Sequence, residues 1–150
     1  MIEYKKGNIF HSDCEALVNP VNCFGVMGKG LAADFKNHFP DNHGEYLRAC
    51  DKKKIRAGVL LPFEEQGRWI INFPTKRHWK NPSLIEDIRA GLESLKTLLI
   101  DKRITSIAMP ALGCGLGGLR WKDVKRLIED SFFGWPNNIK IEVYEPWGKG

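Results

Sequence analysis

Residues 21–35 read VNCFGVMGKGLAADF, and the glycines in this stretch decide how the chain around it is read. Gly25, Gly28 and Gly30 stand close together, so regular structure stops there. Beyond them Leu31, Phe35 and Phe39 recur every fourth residue, the period of one helix face, and Pro40 ends that helix. Ahead of them Ala16–Asn19 (ALVN) is a buried strand. The unit is strand, glycine loop, helix. The same order returns near the C-terminus: strand Ile104–Met109, loop Pro110–Gly118 with four glycines, then helix Arg120–Phe133 with Val124, Leu127 and Ile128 inward.

The remaining segments fill in around these two units. Ile2–Lys5 is a first strand. Asp41 is the expected N-cap of a helix running to about Lys53. Gly58–Pro62 and Arg68–Phe73 are strands, with EEQG between them as the turn. Pro82 falls in the first turn of a long helix reaching about Lys102, striped by Leu84, Ile88, Leu92, Leu95 and Leu99. Ile139–Tyr144 is the last strand. Strands alternating with helices define an α/β sheet with helices on both faces. Such sheets bind ligands beyond the C-terminal ends of their strands, so both glycine loops should stand at one rim.

Composition narrows the class. A length of 150 residues favours one domain, 1–150, able to fold without a disulfide or metal staple. The chain carries 23 Lys+Arg against 18 Asp+Glu, a net charge of +5 that suits an anionic partner without proving one. No apolar run approaches the roughly 20 residues that span a bilayer, so no membrane is expected. MIEYKKGNIF reads as fold rather than signal peptide. Cys14, Cys23, Cys50 and Cys114 form no C-x-x-C pair and suit reduced thiols in an intracellular compartment. No two histidines share a ligand spacing with Cys, Asp or Glu, so no metal is expected.

The loops have a chemistry of their own. Gly28 and Gly30 let main chain approach a ligand, Lys29 lies between them, and the following helix directs free N–H groups back at the loop. Gly113, Cys114, Gly115, Leu116, Gly117 and Gly118 offer a run of amides, an anion nest. Neither loop is a Walker or a dinucleotide fingerprint, and either alone also fits an ordinary strand–helix turn. Facing each other across a rim they could clamp a diphosphate. The Asn22 amide can address ribose hydroxyls or satisfy its own turn; Asn8 can accept from an adenine amino group or cap a turn.

Lys76–Lys80 (KRHWK) mixes cations with an aromatic, as a nucleic-acid strand requires: Arg77 and Lys80 for phosphate, Trp79 for stacking, His78 as a base contact or structural donor. Trp79 packing under its own loop is an equal alternative. By spacing alone Lys76 is a solvated loop lysine. His38 sits at a helix C-terminus; His11 and His43 are expected at the surface. The glycine nest could lower the Cys114 pKa, although no histidine adjoins it.

Four blocks then match one family. GNIF (7–10), ALVNPVNCFGVMGKGLAADFK (16–36), NFPTKRHW (72–79) and MPALGCGLGGLRW (109–121) resemble macrodomains. More narrowly they are similar to the branch holding the DarG antitoxin macrodomains and the eukaryotic terminal ADP-ribose glycohydrolase. The resemblance implies a three-layer α/β/α sandwich with a mixed central sheet that binds ADP-ribose. In the DarG branch it also implies removal of ADP-ribose from thymidine in DNA, reversing a DarT-type toxin. Carried over, Asn8 and Ile9 lie near adenine and Asn22 faces the distal ribose. Val26, Met27, Gly28, Lys29 and Gly30 line the first loop, Gly113 to Leu119 the second, and Lys76 is catalytic. Gly117 stands where the eukaryotic relative has an assisting acid, as it does in DarG-like members. A full DarG carries a further C-terminal domain, so the chain is expected to be an excised macrodomain or a stand-alone bacterial or phage relative.

The expected activity is hydrolysis of ADP-ribose from nucleic acid, thymidine-linked in single-stranded DNA, by a cytoplasmic monomer needing no cofactor. A lysine amine can attack an opened sugar as a Schiff base, or stay charged and stabilise negative charge. Arg77 and Lys80 could supply the positive field that keeps such an amine partly neutral. The rival readings are an ADP-ribose-1″-phosphate phosphatase, a non-catalytic ADP-ribose reader, and a hydrolase of glutamate-linked ADP-ribose on protein.

Overall fold

The computed structural model describes residues 2–146. Six strands, β1 (Ile2–Lys5), β2 (Ala16–Asn22), β3 (Leu61–Glu65), β4 (Arg68–Lys76), β5 (Ser106–Pro110) and β6 (Lys140–Tyr144), share one sheet. The helices are α1 (Gly30–His38), α2 (Pro40–Asp51), α3 (Ile85–Asp101) and α4 (Trp121–Ser131), with a 3-10 turn at Ile9–His11. The strand order is β1-β6-β5-β2-β4-β3. Every neighbouring pair is parallel except β3 with β4. The C-terminal ends of β2, β4 and β5 therefore lie at one rim. Among the described residues, no helix is long and apolar enough to cross a membrane.

Alternation along the strands sorts the helices into two outer layers, because successive side chains leave a strand on opposite faces. Ala16, Val18, Ile71, Phe73, Ile107 and Met109 pack with Ile88, Leu92 and Leu95 of α3 and Val124 and Ile128 of α4. Their neighbours Leu17, Ile70 and Ala108 pack instead with Phe35 and Phe39 at α1. Tyr46 and Ala49 of α2 close a further cluster with Val21 and Met27. The result is α3/α4, sheet, α1/α2.

Several boundaries differ from those read in the sequence, each for a definable reason. Pro40 does end α1, but it also opens α2, since its missing N–H is one a first turn does not need. Asp41 is thus inside the helix rather than its cap. The free amides of Asp41 and Asn42 are met instead by the Glu65 carboxylate, at 3.3 and 2.7 Å. The strand placed at Gly58–Pro62 begins only at Leu61 and takes in Glu64 and Glu65. The hairpin turn is just Gln66 and Gly67, whose φ values of 55° and 75° match a tight primed turn. Pro82 lies ahead of α3, and Leu84 is extended and exposed. That segment stays out of the helix because the Ser83 amide donates to the Gly117 carbonyl, 2.9 Å away. Strands β2 and β4 both run further than expected, and their last residues, Asn22 and Lys76, are register partners.

One buried charge supports this frame away from the rim. Glu142 on β6 is 1% exposed, with Lys5 and Lys140 each 3.1 Å from its carboxylate and the Ser12 hydroxyl donating at 2.7 Å. Burial alone would push the Glu142 carboxyl up; the bonds from Ser12, Lys140 and Lys5 outweigh it and hold it at about 2. Its pairing energy is therefore complete above the ordinary glutamate value of 4.5 and is lost as pH falls from there toward 2. Glu142→Gln is expected to lower the unfolding free energy by about 2 kcal/mol at neutral pH. It should also flatten the loss of stability across that acid window, read from urea unfolding at a series of pH values.

Candidate active site

Asn22 builds the first loop. Its Oδ1 accepts from the amides of Phe24 (2.9 Å), Gly25 (3.0 Å) and Val26 (3.3 Å), and its Nδ2 donates to the Val26 carbonyl at 2.6 Å. Tyr46, reaching from α2, donates to the Asn22 carbonyl at 2.7 Å. Of the two roles open to this amide, the structure shows it engaged by its own turn rather than turned outward toward a sugar. The consequence is a rigid loop whose unsatisfied amides begin one residue later. Met27, Gly28 and Lys29 have N–H groups without a partner among the described residues, and α1 starts without a side-chain cap. The side chains here divide: Met27 is buried against the His43 ring, its sulfur 3.3 Å from Nδ1, while Val26 is exposed. Only the main chain of Met27 can face a ligand.

The second loop is braced from below. Leu119 donates to the Gly113 carbonyl at 2.9 Å and Gly118 to that of Gly115 at 3.2 Å. These turns leave the amides of Gly115, Leu116 and Gly117 unpartnered among the described residues. Gly117 is buried against Ser83: a Cβ there would lie 2.5 Å from the Gly113 carbonyl oxygen and collide with the Ser83 hydroxyl. Ser83 itself is buried, and its hydroxyl lacks a hydrogen-bond partner. Sequence reading passed over Ser83; its one signal was a small polar residue just ahead of a helix. Cys114 overturns an expectation: burial, with Asp123 nearby, pushes its thiol up to about 11 rather than down. The nest's free amides are not aimed at that sulfur, which sits 3.6 Å from the Leu112 carbonyl.

The two loops meet. Strands β2 and β5 are adjacent, and a Cβ on Gly30 would be 3.7 Å from Cδ1 of Leu116. The loops that carry these two runs of unpartnered N–H groups thus meet beside the N-terminal end of α1, and amide nests and helix N-termini are the elements that hold phosphate.

Lys76 flanks this rim. Its carbonyl accepts the Cys23 amide at 3.0 Å, tying the start of the first loop to the end of β4. Its amine donates to the Trp79 carbonyl at 3.3 Å, and no carboxylate pairs with it among the described residues. Arg77 behaves otherwise than expected. Its guanidinium is held by Asp87 of α3 through two 3.0 Å bonds, so its charge is neutralised instead of being a free field beside Lys76. Lys80 lies 5.1 Å over the Trp79 ring. His78 accepts the Lys80 amide at Nδ1, 3.1 Å, so its neutral ring carries the proton on Nε2.

The remaining candidates have partners within the fold. The Asn8 side chain accepts the Phe10 amide at 2.9 Å and caps the 3-10 turn. Ile9 is buried with Leu17 and Phe35. His38 stacks on Phe10 at 4.0 Å. His43, expected at the surface, is partly buried, and burial and Lys36 hold its ring below the usual histidine value. Asp13, Cys14 and Glu142 bring three potential metal-ligand atoms within 4.8 Å of one another. The Glu142 carboxylate there already carries its two lysines.

A six-stranded mixed sheet with helices on both faces and two amide-lined loops at its C-terminal rim is the architecture of a macrodomain. The Macro domain family model matches residues 18–128, and the chain belongs to that family. Its particular similarity is to DarG. The macrodomain of Mycobacterium tuberculosis DarG is 40% identical and superposes with a TM-score of 0.94, covering 97% of this chain and 98% of that one. A structure of Thermosipho africanus DarTG in complex with ADP-ribose is 36% identical with a TM-score of 0.92, covering 99% of this chain and 42% of that one. The DNA ADP-ribosyl glycohydrolase of Thermus aquaticus is 41% identical over 97% of this chain. The chain spans only 41–43% of the length of such curated relatives.

Proposed function

We propose that residues 1–150 act as one macrodomain that binds ADP-ribose between the two loops. In this reading the chain hydrolyses the bond from the distal ribose to a nucleic-acid base, thymidine in single-stranded DNA. The observation that carries the reading is the meeting of the two loops that hold unpartnered amides, at Met27–Lys29 and Gly115–Gly117, on the rim where β4 ends in Lys76. The amides grip the diphosphate, the rim beyond the C-terminal ends of β2 and β5 takes the sugars, and Lys76 is the catalytic residue. Fixing the anomeric carbon by the diphosphate supplies much of the rate gain. The amine then attacks that carbon. The bond from carbon to base nitrogen breaks, and the base leaves with the proton lost by the amine. Water cleaves the lysine adduct, returning the free amine and ADP-ribose. No cofactor enters this sequence. The partner that makes the substrate is a DNA ADP-ribosyl transferase of the DarT kind, a reading supported by the Thermosipho africanus relative being a transferase–glycohydrolase fusion. Both act in the cytoplasm, where the DNA is.

A panel of thymidine-, guanosine-, glutamate- and phosphate-linked ADP-ribose tests the proposal. Free ADP-ribose is expected from the thymidine-linked strand. Phosphate release from the 1″-phosphate alone would instead assign a phosphatase, and release from glutamate alone a protein hydrolase. Tight binding without product on any linkage would leave a reader.

A further inference from the structure

Phe24 stands in solvent on a turn that has no freedom to hide it. The four Asn22 hydrogen bonds fix residues 24–26, yet Phe24 is 61% exposed. Its ring neighbour is His78 on the other loop, 4.5 Å away and tilted by 53°. His78 in turn lies against Trp79, centroids 5.6 Å apart at 24°, and Trp79 is 44% exposed. Three rings from two loops make one continuous ledge. At its edge the Lys76 amine is bonded to the Trp79 carbonyl. Trp79 already has both His78 and Lys80 against its ring, whereas among the described residues Phe24 has His78 alone as a ring contact. Phe24 is the ring with a face to offer.

An exposed aromatic face with amines near it fits a single nucleic-acid strand, because every base has a π-face and every linkage an anionic phosphate. We infer that Phe24 is a base-stacking residue: the base that carries ADP-ribose lies on the exposed face of the Phe24 ring, presenting its sugar bond toward Lys76. This rests on the nucleic-acid reading of the site and adds a residue that the motifs did not assign. It also gives the first loop two surfaces, amides turned to the diphosphate and a ring turned to the base. The stack would favour bases over amino-acid linkages, since a glutamate ester has no plane to lay on the ring.

The test is Phe24→Ala beside Phe24→Trp, with a single-stranded oligonucleotide bearing one ADP-ribosylated thymidine. Phe24→Ala is expected to raise KM about tenfold, the loss of one base–aromatic stack, and Phe24→Trp to restore it. ADP-ribose affinity by calorimetry should move less than about twofold in either, because the Phe24 ring meets the modified thymine base, which free ADP-ribose lacks. An unchanged KM in Phe24→Ala overturns the inference, as does an equal loss on ADP-ribosylated glutamate peptide. If the wild-type chain fails to turn over the modified strand, the functional reading falls and the ledge is judged by fluorescence anisotropy with unmodified oligothymidylate. There, binding weakened about tenfold by Phe24→Ala and kept by Phe24→Trp upholds base stacking. Equal affinities, or no binding by the wild type, overturn it.

Discussion

Lys76→Ala is expected to slow release of ADP-ribose from modified DNA by about a thousandfold or more, while ADP-ribose still binds. The two halves of that result come from different parts of the site. In the proposed site, binding rests on main-chain N–H groups of residues 27–29 and 115–117, none of which is bonded to the Lys76 side chain. The Lys76 amine touches only the Trp79 carbonyl, so truncating it breaks one exposed hydrogen bond and no ion pair among the described residues. Fold and affinity should survive, and calorimetry beside a single-turnover assay reads them separately. Lys76→Arg then separates the two jobs an amine can do. A guanidinium keeps the charge but is no nucleophile at neutral pH. Loss of turnover in Lys76→Arg assigns attack at carbon; retention assigns electrostatic stabilisation. Undiminished turnover in Lys76→Ala would remove the lysine from the mechanism altogether.

Gly117→Asp is expected to abolish tight ADP-ribose binding, by about a hundredfold, rather than to add a catalytic acid. In the resemblance, the eukaryotic branch carries an acidic residue at this position. Here the Cβ alone would sit 2.5 Å from the Gly113 carbonyl oxygen, an atom that cannot move without moving the loop. The Ser83 hydroxyl, also in collision, could rotate, but Ser83 is buried and its amide is tied to the Gly117 carbonyl. Relief requires the second loop to shift, and with it the amides that form the nest. A carboxylate beside those amides would also compete for the place of a phosphate. Gly115→Ala is the control: a Cβ there meets nothing within 4 Å, and affinity should hold within a few-fold. Equal binding by Gly117→Asp and the wild type would show that the nest does not hold the diphosphate.

Much of this frame was legible in the chain itself. The helix over Leu31–Phe39 and the burial of Phe35 and Phe39 follow from four-residue spacing. The alternation of Ala16, Leu17 and Val18 between two cores is the period of a strand. The site was legible as residue types but not as directions. Arg77 reads as a free cation in KRHWK because the acid that neutralises it, Asp87, lies in the first turn of the next helix. Met27 reads as lining the ligand loop because the His43 ring packed against its side chain belongs to α2. Phe24 drew no attention beside its glycines, since exposure is a property of what fails to pack.

The amino-acid order by itself determined where the chain may bend and where it must run straight. Glycine and proline act through the sterics of their own φ and ψ, and periodicity acts over a few residues. Tertiary structure alone decided which polar groups are already satisfied and which remain open. Asn22 spends its amide on the first loop, Ser83 wedges under Gly117, and the N–H groups of residues 27–29 and 115–117 are left without a partner among the described residues. Those outcomes depend on contacts between residues distant along the chain, and a hydrogen bond made by one partner is a hydrogen bond withdrawn from a ligand.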